Sequence, residues 1–311
     1  MYRGLTLIPP GTRFPFMAPR RFFFAFSAFL MLASIVLFAV KGLNYGIDFK
    51  GGIMMEVKLP NAANLADLRG KLSGLGLGEM ELQEFGAPND VLIRVPRQDG
   101  DEKAQQAAVD KIKGALGAGI EYRRTEVVGP KVSSELFIEG LLAVAAAIVA
   151  ILAYVWFRFE WQFGVAAVAA LTHDVLTTVG MFALLQLEFN LSTVAAALTI
   201  AGYSINDTVV VFDRVRENLR KYKTMPLLEL FDLSINETLS RTILTSGTTL
   251  LALVVLYFLG GPVIRDFSFA MIWGIGIGTY SSICVATPML IYMSLPRREQ
   301  KDKGAAAAEA P

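Results

Sequence analysis

Hydrophobic positions along this chain come in long unbroken blocks, and polar positions are gathered between them. Six blocks, at 22–40, 137–157, 163–185, 191–212, 243–259 and 267–295, reach or approach the roughly 20 residues a helix needs to cross hydrocarbon. The first follows Arg20-Arg21. It is longer than the apolar core of a secretory leader, about 7–15 residues, and lacks a small-x-small site at its end, so it reads as an uncleaved span.

The polar block at 42–135 shows other periods. Ile53-Met-Met-Glu-Val-Lys-Leu59 suits a strand, and 64–75 suits a helix with Asn64 as its cap. Strands at 80–85 and 91–95 flank Gly86-Ala-Pro-Asn-Asp90, a hairpin signal. A helix at 101–116, capped by Asp101, places Ala104, Ala108, Ile112 and Leu116 on one face, and 122–128 suits a last strand. The order β-α-β-β-α-β predicts a ferredoxin-like α+β domain.

Charge sets the orientation. Arg3, Arg13, Arg20 and Arg21 precede the first span, and Arg158 lies between the second and third. Arg214, Arg216, Arg220, Lys221, Lys223 and Arg241 fill or close the loop at 214–239, and Arg297, Arg298, Lys301 and Lys303 follow the last span. Basic residues mark the cytoplasmic side. The expectation is a segment at 1–21 and a disordered tail at 296–311, both cytoplasmic, with the domain at 42–135 periplasmic, in a bacterial inner membrane. The whole chain is 54% hydrophobic and 18% charged with net charge +1, which gives no basis for binding nucleic acid. One cysteine, Cys284, and one histidine, His173, exclude an internal disulfide and leave no thiolate or His/Cys metal site.

Candidate chemistry lies within the spans. Asp207 sits roughly 9 Å inside the fourth. An ionised Asp there costs about 2.5–3.5 kcal/mol on insertion scales, so it must be paired, wetted or protonated. Tyr203, Ser204, Asp207 and Val211 share one helical face. Arg241 opens the fifth span on a face with Thr245 and Thr248, either as a partner of Asp207 or as a snorkelling anchor. His173-Asp174 falls near mid-span in the third, as a proton-handling pair or as a structural hydrogen bond between helices. Ser204, Asn206, Thr245 and Thr248 are read as a supporting polar stripe. Gly274-Ile-Gly-Ile-Gly278 lacks the strand context of a phosphate loop and reads as a helix-packing stripe. No Walker sequence or hydrolase triad is apparent, so the chain is expected not to be an enzyme. Asp48-Phe-Lys-Gly-Gly52 marks the exit from the first span, where Gly51 and Gly52 let helix turn into strand.

Asp48-Phe-Lys-Gly-Gly52, His173-Asp174, the run Gly202–Asn218 and the run Asn236–Ser246 together resemble the SecF family. These are accessory membrane subunits of the bacterial Sec protein-export machinery, within the RND superfamily. The resemblance covers about 20–296. It implies half of an RND-type bundle, with SecD supplying the other half, and use of the proton gradient to assist polypeptide translocation. It matches Asp207 to the family's intramembrane carboxylate and Arg241 to its essential arginine. The partners it implies are SecD, the SecYEG translocon, YajC, an unfolded polypeptide passenger and membrane lipids. Protons are the coupling ion, and no cofactor is expected. The competing readings are a half-subunit of an RND-type exporter of small molecules or lipids, and a scaffold whose polar residues only glue helices.

Overall fold

The computed structural model describes Pro9, residues 11–100 and residues 102–293. The cap expected at Asp101, the tail after Lys303, and Arg3, Arg297, Arg298, Lys301 and Lys303 lie outside the described residues. Helix α1 (Arg20–Lys41) leads through a two-residue strand β1 (Asn44–Tyr45) and one turn, α2 (Ile47–Lys50), into the soluble domain. That domain comprises β2 (Gly52–Lys58), α3 (Leu65–Ser73), β3 (Glu81–Phe85), β4 (Ala87–Val95), α4 (Glu102–Leu116) and β5 (Glu121–Val128). Then follow α5 (Pro130–Arg158), α6 (Trp161–Leu185), β6 (Glu188–Phe189), α7 (Leu191–Lys221), α8 (Leu227–Leu259) and α9 (Pro262–Ser281). A wide π turn at Ser282–Ala286 and short turns to Tyr292 continue α9. Among the described residues, six helices are long and apolar enough to cross a membrane.

The soluble domain is ferredoxin-like. Its sheet runs β3-β4-β2-β5 with antiparallel neighbours, which is the arrangement that two split β-α-β units produce. Alternation does the sorting. Ile53, Met55 and Val57 of β2 and Val91, Ile93 and Val95 of β4 point one way and bury against Leu68, Leu72, Ala108 and Ile112 of α3 and α4. Asn64 caps α3 by accepting hydrogen bonds from the backbone N–H groups of Ala66 at 3.1 Å and Asp67 at 3.3 Å. Such a cap is worth about 1 kcal/mol. The hairpin is tighter than expected. Gly86, at φ +90°, makes the turn, and 87–90 belong to β4. Only a residue tolerant of positive φ can close so short a reversal.

Several segment boundaries also differ from those the sequence predicts. The stretch at 214–239 is mostly helix, because α7 runs on to Lys221 and α8 starts at Leu227. Leu230, Phe231 and Ile235 give α8 an apolar stripe that packs with Val211 and Val215 of α7, so both helices continue past the apolar blocks. Helix α5 begins at Pro130, a residue preorganised for a first turn, rather than at 137. Helix α9 begins at Pro262, and the last block ends in irregular turns instead of one straight helix to 295. Pro288 has no N–H to give and clashes with the preceding turn, which accounts for the widened π turn before it.

The ends of the bundle are distinct. Phe24 and Tyr292 meet with ring centroids 5.8 Å apart, so the chain enters and leaves at one end. At the other end the domain is tied to the helices. The side chain of Asp48 accepts a hydrogen bond of 2.9 Å from the N–H of Leu191, the first residue of α7. Arg94, on the sheet face turned away from α3 and α4, pairs with Glu188 in the segment between α6 and α7. Gly51 and Gly52 have φ of +73° and +126°. A Cβ on Gly52 would stand 2.5 Å from the carbonyl oxygen of Val95.

Candidate functional site: a hydroxyl-lined carboxylate cluster in the bundle

Helices α6, α7, α8 and α9 meet around two buried carboxylates. Asp174 on α6 is fully buried and Asp207 on α7 is 3% exposed. Asp174 Oδ2 accepts from Ser204 Oγ at 2.5 Å and from Ser281 Oγ at 2.8 Å. Its Oδ1 lies 3.0 Å from His173 Nδ1. Asp207 Oδ2 accepts from Ser246 Oγ and Thr279 Oγ1, both at 3.4 Å, and these two hydroxyls lie 2.9 Å apart. Thr208 and Ser282 close the cluster at 2.8 Å.

Close helix packing makes this possible. Gly274 and Gly278 of α9 face Ile200 and Ser204 of α7, and a Cβ on Gly274 would run into the Ile200 side chain. The glycine stripe therefore packs helices, as small residues in a spanning helix predict. It also brings the backbone of α9 near enough for Thr279 to reach Asp207 and Ser281 to reach Asp174. Hydroxyls both donate and accept, so the cluster can re-pair around either protonation state of each Asp.

Ser204, Asp207 and Val211 are buried along one face of α7, and Tyr203 is half-buried at its margin, with its hydroxyl 3.5 Å from Thr249 Oγ1. His173 is buried beside Asp174, its ring 6.0 Å from that of Tyr280, and its Nε2 has no partner among the described residues. Other predicted residues lie elsewhere. Asn206 is exposed, as are Arg241, Thr245 and Thr248. Thr245 and Thr248 donate back to the carbonyls of Arg241 and Leu244, one turn earlier in their own helix. The phase of α8 explains this. Its buried face carries Thr242, Ser246 and Leu253, so Thr245 and Thr248 are rotated off it. Among the described residues no ion pair joins Arg241 to Asp207, and the hydrogen bonds to that carboxylate come from Ser246 and Thr279.

Sequence reasoning missed Ser246, Thr279, Ser281 and Ser282. For Thr279, Ser281 and Ser282 the signal was present in the polar residues that directly follow Gly274-Ile-Gly-Ile-Gly278, and for Ser246 in its helical spacing from Thr242.

Six apolar helices, a ferredoxin-like domain at one end and a hydroxyl-bound carboxylate cluster within the spans define a polytopic membrane protein with ionisable groups at its centre. Residues 108–295 match the model of the protein export membrane protein SecD/SecF C-terminal region, and residues 36–59 match the SecD/SecF GG motif. The chain belongs to the SecD/SecF family. It is 47% identical to a protein translocase subunit SecF of Cereibacter sphaeroides, over 98% of this chain and 97% of that one. It is 44% identical to a protein translocase subunit SecDF of Brucella abortus, over 99% of this chain but 41% of the relative. Among solved structures it is similar to SecDF of Thermus thermophilus, described as a translocon-associated membrane protein, with TM-score 0.79 and 38% identity. That match covers 91% of this chain and 39% of the other, so the chain spans about two fifths of the SecDF structure.

Proposed function

We propose that the chain is the SecF-type subunit of a Sec translocase accessory complex. With a SecD partner, it uses the proton gradient to assist export of polypeptides across the inner membrane. The carrying observation is the pair of buried carboxylates, Asp174 and Asp207, each held by hydroxyls from neighbouring helices. A carboxylate at that depth is functional by default. Protonation of Asp207 re-pairs Ser246 and Thr279 and shifts α8 and α9 against α7. Helix α7 is tied to the soluble domain through Asp48 and Leu191, so the movement reaches that domain. One charge crossing the field yields about 2.3 kcal/mol per 100 mV, enough to bias a two-state movement tens-fold.

The exposed face of Arg241, Thr245 and Thr248 is where the SecD half of an RND-type bundle packs, bringing Arg241 into a dry setting. The Lys/Arg asymmetry supports cytoplasmic termini and a periplasmic domain. SecYEG, YajC, a passenger polypeptide and lipid complete the proposed surroundings, with protons as the only coupling ion. The role is mechanical and not enzymatic. The alternative, a small-molecule exporter of the same superfamily, has no specific observation in its favour.

The test is gradient-dependent export into inverted vesicles depleted of the chain and resupplied with it and SecD. Stimulation that disappears when the gradient is dissipated supports the proposal. Equal export with and without the chain contradicts it.

A further inference from the structure

At the end of the bundle where the chain enters and leaves, two guanidinium groups share one aromatic ring. Arg158 Cζ lies 5.0 Å and Arg216 Cζ 5.3 Å from the Phe159 ring centroid. Phe159 is itself buried against Phe163 and Phe212, so the ring is a fixed platform. Asp213 takes Arg158 in a two-pronged pair at 2.7 and 2.8 Å, and Arg216 Nη1 donates to the Arg158 carbonyl at 3.3 Å. The cations are thus held in place before any ligand arrives.

They border a cleft of about 460 Å³ lined by Arg158, Asp213, Arg216, Glu217, Arg220 and Lys221. Four cations face two carboxylates there. One of those carboxylates, Glu217, is also engaged by Arg214, which lies outside the lining, at 2.8 Å. The cleft therefore keeps a positive surplus in a small volume, and like charges held together favour an anion between them.

Its depth identifies the anion. Trp156 and Phe157, the two residues before Arg158, are 70% and 90% exposed, and Trp161 at the start of α6 is 57% exposed. Exposed Trp beside Arg at a span end marks the headgroup level of a bilayer. Basic pockets between spanning helices at that level suit anionic headgroups. We propose that this cleft binds the phosphate of an anionic phospholipid. Arg216 and Arg220 contact the phosphate, and the acyl chains lie against the exposed rings of Trp156, Phe157 and Trp161.

The chain offers its own probe. It has three tryptophans, two of them at this level. With Trp273→Phe, fluorescence reports on Trp156 and Trp161 alone. The protein is reconstituted in phosphatidylcholine vesicles, and quenching is compared between brominated phosphatidylglycerol and brominated phosphatidylcholine. The expected result is a preference for phosphatidylglycerol of at least about fivefold, the effect of one near-surface cation. Arg216→Gln with Arg220→Gln brings that preference close to one. Lys131→Gln, which removes an exposed cation at the opposite end of α5, leaves it unchanged. Should the double variant fail to fold, Arg220→Gln alone tests the same point and lowers the preference about fivefold. No preference, or one that survives these substitutions, overturns the proposal. Loss of the preference when inorganic phosphate replaces chloride at equal ionic strength would mark a soluble-anion site and would also overturn it.

Discussion

Ser204 Oγ stands 2.5 Å from Asp174 Oδ2 and so fastens α7 to α6 in the middle of the bundle. Asp207 lies three residues further along the same buried face of α7. The two carboxylates are thus joined to one helix, one through a hydroxyl and one directly. Ser204→Ala removes a donor from a buried carboxylate and leaves it Ser281 and His173. The expected loss of stability is about 1–3 kcal/mol. Thermal unfolding in detergent, compared with wild type, measures it.

Gly274 governs how closely α9 approaches α7, because any Cβ there meets Ile200. Gly274→Ala should destabilise by about 1–3 kcal/mol, the usual range for overpacking. Ile200→Ala in the same chain should recover part of that loss by making room, though it removes buried surface of its own. A double-mutant cycle on unfolding gives the coupling. Purely additive effects would mean that the two residues do not limit the approach.

Much of this was legible in the sequence. The spans followed from block length, and the domain from alternation and order. Asp207 and Asp174 stood out because charge is costly in hydrocarbon. Helix phase around the carboxylates was less legible. Thr245 and Thr248 belonged to a stripe with Arg241, yet the buried face of α8 is set by Thr242 and Ser246. Both are consistent with helical spacing, and only packing against α7 and α9 selects between them. Ser281 and Ser282 escaped notice because a serine in an apolar helix has no large insertion cost to flag it. The extended helices at 214–239 were hidden by their charged exposed faces, which resemble a loop in a hydropathy reading.

At the domain junction, burial pushes the Glu188 carboxyl above the ordinary glutamate value of 4.5, with Arg94 opposing that shift. The folded chain then takes up a proton at a pH where the unfolded chain has not. Its contribution to stability is full below 4.5 and is lost as pH rises through the raised folded value. Glu188→Gln removes this dependence. Melting temperatures of the two proteins should therefore depend on pH with the same slope below 4.5 and with different slopes as pH rises above it.

Gly52 holds φ +126° with Val95 across from it, so Gly52→Ala strains the backbone and crowds a carbonyl. A loss of about 1–3 kcal/mol is expected. Asp48→Ala leaves that turn intact and removes the acceptor for the Leu191 N–H. It should loosen the domain from α7 with less effect on overall melting. Faster amide hydrogen exchange at the start of α7 in Asp48→Ala, with the sheet still protected, is the expected pattern.

In the proposed function, Asp207 carries a proton whose binding and release move the helices around it. Asp207→Asn keeps the shape of the side chain and its ability to accept from Ser246 and Thr279, but it cannot cycle a proton. The decisive measurement is gradient-driven polypeptide export into inverted vesicles carrying this variant with its SecD partner, at matched protein level and matched partner binding. The gradient is expected no longer to stimulate export. Wild-type stimulation by Asp207→Asn would contradict it and would leave the buried carboxylate a structural role alone.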